Sequence, residues 1–403
     1  MLIELHIIQN FAPSNLNRDD TGSPKDCEFG GVRRARISSQ SLKRRVRDMV
    51  RGDDERRGLL RPGHPEYQAQ RTKRLVDEVT ERLVELGRDQ EEARAAIRGA
   101  LRSLGFDFDA RHPDQTQYLI FLGNDEIQRL TEAVDAHRTT LAQSKEAAEV
   151  AAVAGGGRAP RVQSGAKNVP DDVKKALDAV FHTAGPAADL AMYGRMLANV
   201  PAKNVDAASQ VAHAISTHRV NLEFDYFTAV DDLKRREEDA GAGYLDTVQF
   251  NSACYYRYSN VAVNQLQKNL GGDIALARDA LKAFLEATIL SLPDAKQNSF
   301  AAQNHPAFIL SVVRDRRQPA SLANAFERAI PPTDRESLTG QSVTALIQAF
   351  ERYESMYADY TGLVARFACG AGYTEPPYIQ GLADAVVPRV RDLVERTVTA
   401  ALP

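Results

Sequence analysis

Apolar and polar positions alternate from Leu2 to Ile8, with Ile3, Leu5 and Ile7 facing one way, which predicts an N-terminal strand leading into the polar loop that follows. A short β-like run, Ala35 to Ile37, is followed by Leu42, Val46, Met49 and Val50 at helical spacing, so a helix is expected from near Ser39 behind a serine cap. Leu75, Val79, Leu83 and Leu86 mark one further helix, and Ala93 to Leu104 another, capped by Asp89 with Glu92. Tyr118 to Leu122 reads as a strand, and Asn124 caps a helix running toward His137. From Thr139 to Lys167 the pattern dissolves into Ala/Gly/Ser-rich sequence around Gly155, Gly156 and Gly157, expected to be mobile.

Pro170, Asp171 and Asp172 open a helix through Phe181, and Ala187 to Leu197 reads as a strand. Val220 to Thr228 and Thr247 to Tyr258 are strand-like on either side of a charged, glycine-containing tip, which suggests an extended hairpin. Helices are expected over Ile274 to Leu292, Leu322 to Ile330 and Val343 to Tyr360, and strands over Ala307 to Val313 and Gly362 to Cys369. The C-terminus is helical, with Pro388 kinking or restarting it. Strands interleaved with helices and an inserted helical lobe fit an α+β, ferredoxin-like or RRM-like core, although no RNP1 octapeptide is present.

With 403 residues, 43% of them apolar, the chain can build two domains or one domain with large insertions. No segment approaches a membrane helix and the opening MLIELHIIQNF has no basic leader, so a cytoplasmic protein is expected. Cys27, Cys254 and Cys369 lack any CxxC spacing, which argues against a disulfide framework or a zinc site. Net charge is −3, yet Arg33 to Arg51 holds eight arginines and lysines against the single acid Asp48, so the positive charge is local. Gln40, Lys43, Arg44, Arg47 and Arg51 fall at i, i+3, i+4, i+7 and i+11, one stripe of the expected helix. The unpaired N–H groups of its first turn are a natural seat for phosphate.

A lone basic helix can be no more than a solvated face. Here the loop Asn15 to Gly22 and the pair Gly30-Gly31 let backbone and short polar side chains approach a ligand closely, which favours binding. Asp19-Asp20 and Asp231-Asp232 are the paired acids a metal-dependent nuclease would use, but adjacent acids rarely converge, and Asp19 and Asp20 read as fixing the loop or pairing with Arg18. His182, His213 and His218 lack metal-binding spacing and read as structural. No nucleotide-cradling glycine motif is present, and no cofactor is implied.

The blocks SNLNRDD (14–20), Lys25, FGG (29–31), ARISSQSLKR (35–44), AHAISTHRV (212–220), FDYFTAVDDL (224–233), QFNSACYYRYSN (249–260), NLGG (269–272), PDAKQNSFAAQN (293–304) and SLANAFE (321–327) together resemble the CasC family, the backbone subunit of the type I-E CRISPR complex Cascade. The resemblance implies a modified RRM-like palm (1–51, 186–205 and 251–403), a helical fingers lobe (52–185) and a β-hairpin thumb (206–250). It implies a non-catalytic, crRNA-binding subunit that polymerises along the guide with copies of itself, presents it to a target DNA strand, and assembles with CasA, CasB, CasD and CasE. Arg18, Lys25, Lys43, Arg44 and Arg47 would contact phosphate, and Ser38, Ser39 and Gln40 would hydrogen-bond phosphate or 2′-hydroxyl. By position, Met196 matches a family residue that packs on bases, while Phe227 and Thr228 match the thumb segment inserted at a displaced nucleotide; plain core packing is the alternative for Met196 and Phe227. Related backbone subunits that cleave RNA with a loop aspartate make a metal-dependent endoribonuclease the rival reading. Two stretches depart from the family: Lys234 to Gly243 is longer and more charged than a thumb of this kind, and 139–168 has no counterpart.

Overall fold

The computed structural model describes residues 1–52, 58–61, 64–154, 167–182, 185–197, 200–229, 244–315, 318–379 and 381–402. Their strands are β1 (Leu2–Ser14), β2 (Asp26–Phe29), β3 (Val32–Ile37), β4 (Ala69–Thr72), β5 (Ile120–Gly123), β6 (Ser209–Val211), β7 (Ala214–Ser216), β8 (Glu223–Ala229), β9 (Tyr244–Ala262), β10 (Phe308–Arg314) and β11 (Leu363–Gly370). Two compact units emerge: residues 1–59, 209–263 and 281–403 form one, residues 60–208 and 264–280 the other. The stretch 186–205, expected with the palm, therefore falls in the second unit. Among the described residues no helix is long and apolar enough to cross a membrane.

The first unit is organised on a sheet ordered β11-β10-β1-β9-β7-β3-β2, with β6 and β8 also pairing β9. β1 lies between β9 and β10, antiparallel to both, with Leu5 opposite Ser259 on one side and Ser311 on the other. The strand expected at the N-terminus is present and is covered along most of its length: Leu2 to Gln9 are all buried. One face packs Ile8, Phe308, Leu310 and Val312 against Leu346, Ile347 and Phe350 of the helix Leu338–Met356. On the other, Thr397 of the helix Val390–Ala401 bonds Ser311 at 2.9 Å. A strand covered on both faces must satisfy its polar side chains internally. Glu4 accepts from Arg314 Nε (2.5 Å), Tyr258 OH (2.8 Å) and the Ala320 N–H (2.6 Å), and His6 Nδ1 shares a 2.9 Å hydrogen bond with Tyr256 OH.

In the second unit the helices Leu75–Glu85, Gln90–Ser103, Asn124–Ala136 and Asp171–His182 bury Val79, Ile97, Ile127 and Leu177 in one core. Asp89 caps its helix by accepting from Glu92 N–H at 2.9 Å. At the next boundary the cap is Gly123, one residue earlier than expected, whose N–H donates to Glu126.

Three expectations are corrected. Ala187 to Leu197 contains a helix, Ala188–Tyr193, rather than a strand; its residues 188–192 are all buried, and a short apolar run buried all round carries no periodicity to choose between the two. Leu322 to Ile330 holds only a 3₁₀ turn, Ala323–Phe326, because the carbonyls of Phe326 and Glu327 accept from Arg34 (2.8 and 3.0 Å) instead of continuing a helix. The 139–167 stretch begins with two helices, Arg138–Ala142 and Lys145–Ala154, while residues 155–166 lie outside the described residues. So do Asp231, Asp232 and the charged tip Lys234 to Gly243.

Candidate nucleic-acid interface

Helix α1 (Ser39–Arg51) starts where the side-chain oxygen of Ser38 accepts from Ser41 N–H at 3.3 Å. Ser38 is itself tied to the preceding loop, since its N–H donates to Asn17 Oδ1 at 2.8 Å. That loop is closed by its own polar groups. Asn15 donates to the carbonyls of Gly22 and Gln249, and Asp19 Oδ1 accepts from the Thr21 hydroxyl (2.7 Å) and from the N–H groups of Thr21 (2.9 Å) and Ser23 (3.0 Å). The Thr21 hydrogen bond leads the causes that hold the Asp19 carboxyl below its usual range. Asp19 thus fixes the loop that carries the exposed Arg18 and the half-buried Lys25. Among the described residues no group of three or more His, Cys, Asp or Glu is placed to hold a metal ion.

The basic run divides by role. Arg34 is fully buried, donating to the carbonyls of Phe29, Ser216, Phe326 and Glu327. Arg45 bonds the Leu292 carbonyl (3.1 Å) and Asp294 (3.0 Å), and Arg33 pairs with Asp26. On the stripe, Gln40 and Arg44 are exposed and Lys43 and Arg51 are half-buried, as is Ser39 at the start of the helix. Arg44 leans back onto Asp48 at 2.9 Å, an exposed i,i+4 pair that a phosphate can replace at little cost. Arg47 departs from expectation. It is only 9% exposed, on the shoulder of α1 beside the buried Val46, where a long side chain lays its alkyl stem along apolar surface.

The first turn of α1 is also less open than the spacing implied. Ser41 and Leu42 N–H are taken by Ser38 Oγ and the Ser38 carbonyl, and Ser39 N–H donates to His213 Nδ1 at 3.1 Å. Arg36 donates to the same nitrogen at 3.3 Å. His213, read from sequence as structural, is an exposed member of this surface. It arrives because β3 pairs with β7 through Arg36 opposite Ile215 and Ile37 opposite Ala214, a pairing that no local pattern announces. Partial burial, then the charges of Arg36, Lys25 and Lys43, hold its pKa below the usual imidazole value.

Phe227 and Thr228 lie on β8, opposite Asp246 and Leu245 of β9. Alternation places Phe224, Tyr226 and Thr228 on one face with Thr247 and Gln249, and Glu223, Asp225 and Phe227 on the other with Asp246 and Val248. Phe224 and Tyr226 are 66% and 64% exposed, Phe227 38%. The Phe227 face is therefore acidic and the opposite face neutral and aromatic. Met196 belongs to the second unit and is 84% exposed, so core packing is excluded for it within this chain. It follows Arg195, whose buried guanidinium is paired with Glu126 at 2.8 Å, and it lines a cavity of about 640 Å³ with Arg71, Leu119, Phe121 and Tyr193.

These features define a mixed α+β protein with a basic, hydroxyl-bearing surface suited to a polyanionic backbone. The chain belongs to the family of CT1975-like proteins, which it matches over residues 3–395. Among solved structures it is 30% identical to a chain described as "CRISPR RNA-guided surveillance complex, pre-nicking", with a TM-score of 0.78 and 100% of both chains covered. To a second, described as "CRISPR RNA-guided surveillance complex", it is 27% identical, with a TM-score of 0.69 and again 100% of both chains covered. No curated protein matches the sequence. The resemblance to CasC-type backbone subunits is borne out by the family match and by these neighbours.

Proposed function

We propose that this protein is the crRNA-binding backbone subunit of a type I-E Cascade, that it polymerises along the guide without cutting it, and that it presents the guide to a target DNA strand beside CasA, CasB, CasD and CasE. The observation that carries the reading is one surface, in the first unit, that combines Arg18, Lys25, Arg36, Lys43 and Arg44 with Ser39, Gln40 and His213 around the start of α1. Such groups hold phosphate and 2′-hydroxyl without reading bases, which suits a subunit that must accept any guide, since pairing rather than protein reads the sequence. The first unit serves as the RRM-like palm, the second as the fingers, and β8 with the first part of β9 as the thumb.

The engagement of Asp19 with its own loop favours a non-catalytic role over the endoribonuclease reading. The test is to isolate the assembled complex and characterise its RNA: a short RNA of uniform length supports the reading, and a complex free of RNA overturns it. Incubation with paired target RNA and Mg²⁺ addresses cleavage, and specific cuts lost in Asp19→Ala would establish the rival.

A further inference from the structure

We propose that His213 is an RNA-contacting residue that carries the polarity of the α1 N-terminus to the ligand, its Nε2–H donating to an oxygen of the ribose-phosphate backbone. The inference rests on the binding surface proposed above and adds a residue and a mode of contact to it. Nδ1 receives hydrogen bonds from the Ser39 N–H and from Arg36, both of which can only donate. Nδ1 must therefore be unprotonated, and the ring carries its hydrogen on Nε2. The two nitrogens lie on different edges of the ring, so fixing one toward the helix leaves the other directed away from it, on an exposed side chain.

A helix N-terminus normally meets an anion with its own N–H groups. Here His213 stands at one of them, and the donors behind Nδ1 withdraw electron density through the ring and make Nε2–H a better donor. The charged groups around the imidazole are Arg36, Lys25 and Lys43, all cationic. They draw an anion in and favour the neutral ring, so the contact works at neutral pH without a proton being taken up.

The experiment uses the full-length protein and a short unstructured RNA, with His213→Asn, His213→Gln and Lys43→Ala compared with the wild type. Asparagine can place its carbonyl near the position of Nδ1 and keep the bond from Ser39 N–H, but it does not reach the position of Nε2. Glutamine reaches farther and can donate there. His213→Asn should retain the wild-type melting temperature and lose about fivefold in affinity, the worth of one hydrogen bond, and His213→Gln should recover part of the loss. Histidine ¹⁵N spectra of the wild type should show the neutral Nε2–H form at pH 7, with its Nε2 signal moving on RNA addition. Wild-type affinity in His213→Asn, with weakened binding in Lys43→Ala, makes His213 a helix cap alone and overturns the inference while sparing the surface. Unweakened binding in Lys43→Ala as well places the RNA elsewhere and overturns both.

Discussion

The first unit holds two polar systems that obey opposite rules. Around β1, Glu4, His6, Tyr256, Tyr258, Arg314 and Glu354 bond one another out of water, and each charge meets its opposite: Glu4 lies 2.5 Å and Glu354 2.7 Å from Arg314. Around α1, the exposed Arg44 leans on an acid of its own helix, Asp48, in a solvent-exposed pair, and Ser39 and Gln40 add neutral polar groups beside it. A buried network must close on itself because an orphaned charge there costs several kcal/mol. A ligand surface must stay open, since whatever it satisfies internally it cannot offer. Arginine serves both systems, and only its surroundings tell which.

The largest effect should come from opening the closed system. Arg314→Ala strands Glu4, which is wholly buried, and is expected to destabilise the unit by about 3–5 kcal/mol, read as a shift of the urea midpoint by circular dichroism. Arg44→Ala should stay within about 0.5 kcal/mol of wild type. Equal effects from the two would erase the distinction.

The same network predicts a pH dependence. Burial, opposed by Glu4 and reinforced by Arg314, lowers the His6 pKa from 6.5 to about 4. The folded protein thus holds the neutral ring, while the unfolded chain takes up a proton at its ordinary pKa. The stabilisation is complete above pH 6.5 and is lost as pH falls from 6.5 toward 4, amounting to about 3 kcal/mol in all. His6→Gln should flatten the stability curve across that window. A slope left unchanged would assign the loss to other groups.

The sequence reported the open system better than the closed one. Ser38, Asp89 and the spacing of Leu42 and Val46 mark helix starts and faces through local rules, and the structure places those elements within a residue or so of the expectation. Glu4 and His6 occupy the polar positions of an alternating strand, and alternation alone cannot tell water from a second packed layer, so nothing local announces their burial. Arg34, Arg45 and Arg47 add to a charge count that their burial or partners reduce, and His213 reads as structural from the sequence because the β3–β7 pairing that brings it to Ser39 spans 174 residues. What depends on distant chain was illegible locally; the family blocks located it without explaining it.

The hairpin belongs to neither system: Phe224 and Tyr226 are exposed on its neutral face, and Phe227 is partly exposed on its acidic one. Resemblance assigns insertion at a displaced nucleotide to Phe227, and Phe227→Ala should lower target-strand affinity about tenfold while guide binding holds, since an aromatic stacked on a base contributes about 1–3 kcal/mol. Phe224→Ala with Tyr226→Ala is the counterpart on the neutral face. If that pair weakens target binding and Phe227→Ala does not, repulsion from Glu223, Asp225 and Asp246 outweighs the family position, and nucleotides meet the other side.

The smallest effect is the one that most directly measures openness. Every cation that meets an RNA phosphate releases a counterion, so removing it should lower the log–log salt slope of binding by about 0.7, whatever the RNA sequence. Lys25→Ala, Lys43→Ala and Arg44→Ala should each do so with the melting temperature unchanged. Arg44 begins in its pair with Asp48 and must leave it to meet phosphate, so part of its Coulombic gain is offset and its effect on affinity at fixed salt should be the least of the three. Arg47 is unsuited to this test, because its burial couples any affinity change to stability. Titrations with two RNAs of unrelated sequence at several salt concentrations decide the matter. Equal slope losses on both mark backbone contacts, a loss confined to one RNA marks base readout, and no loss on either returns the α1 cations to solvent.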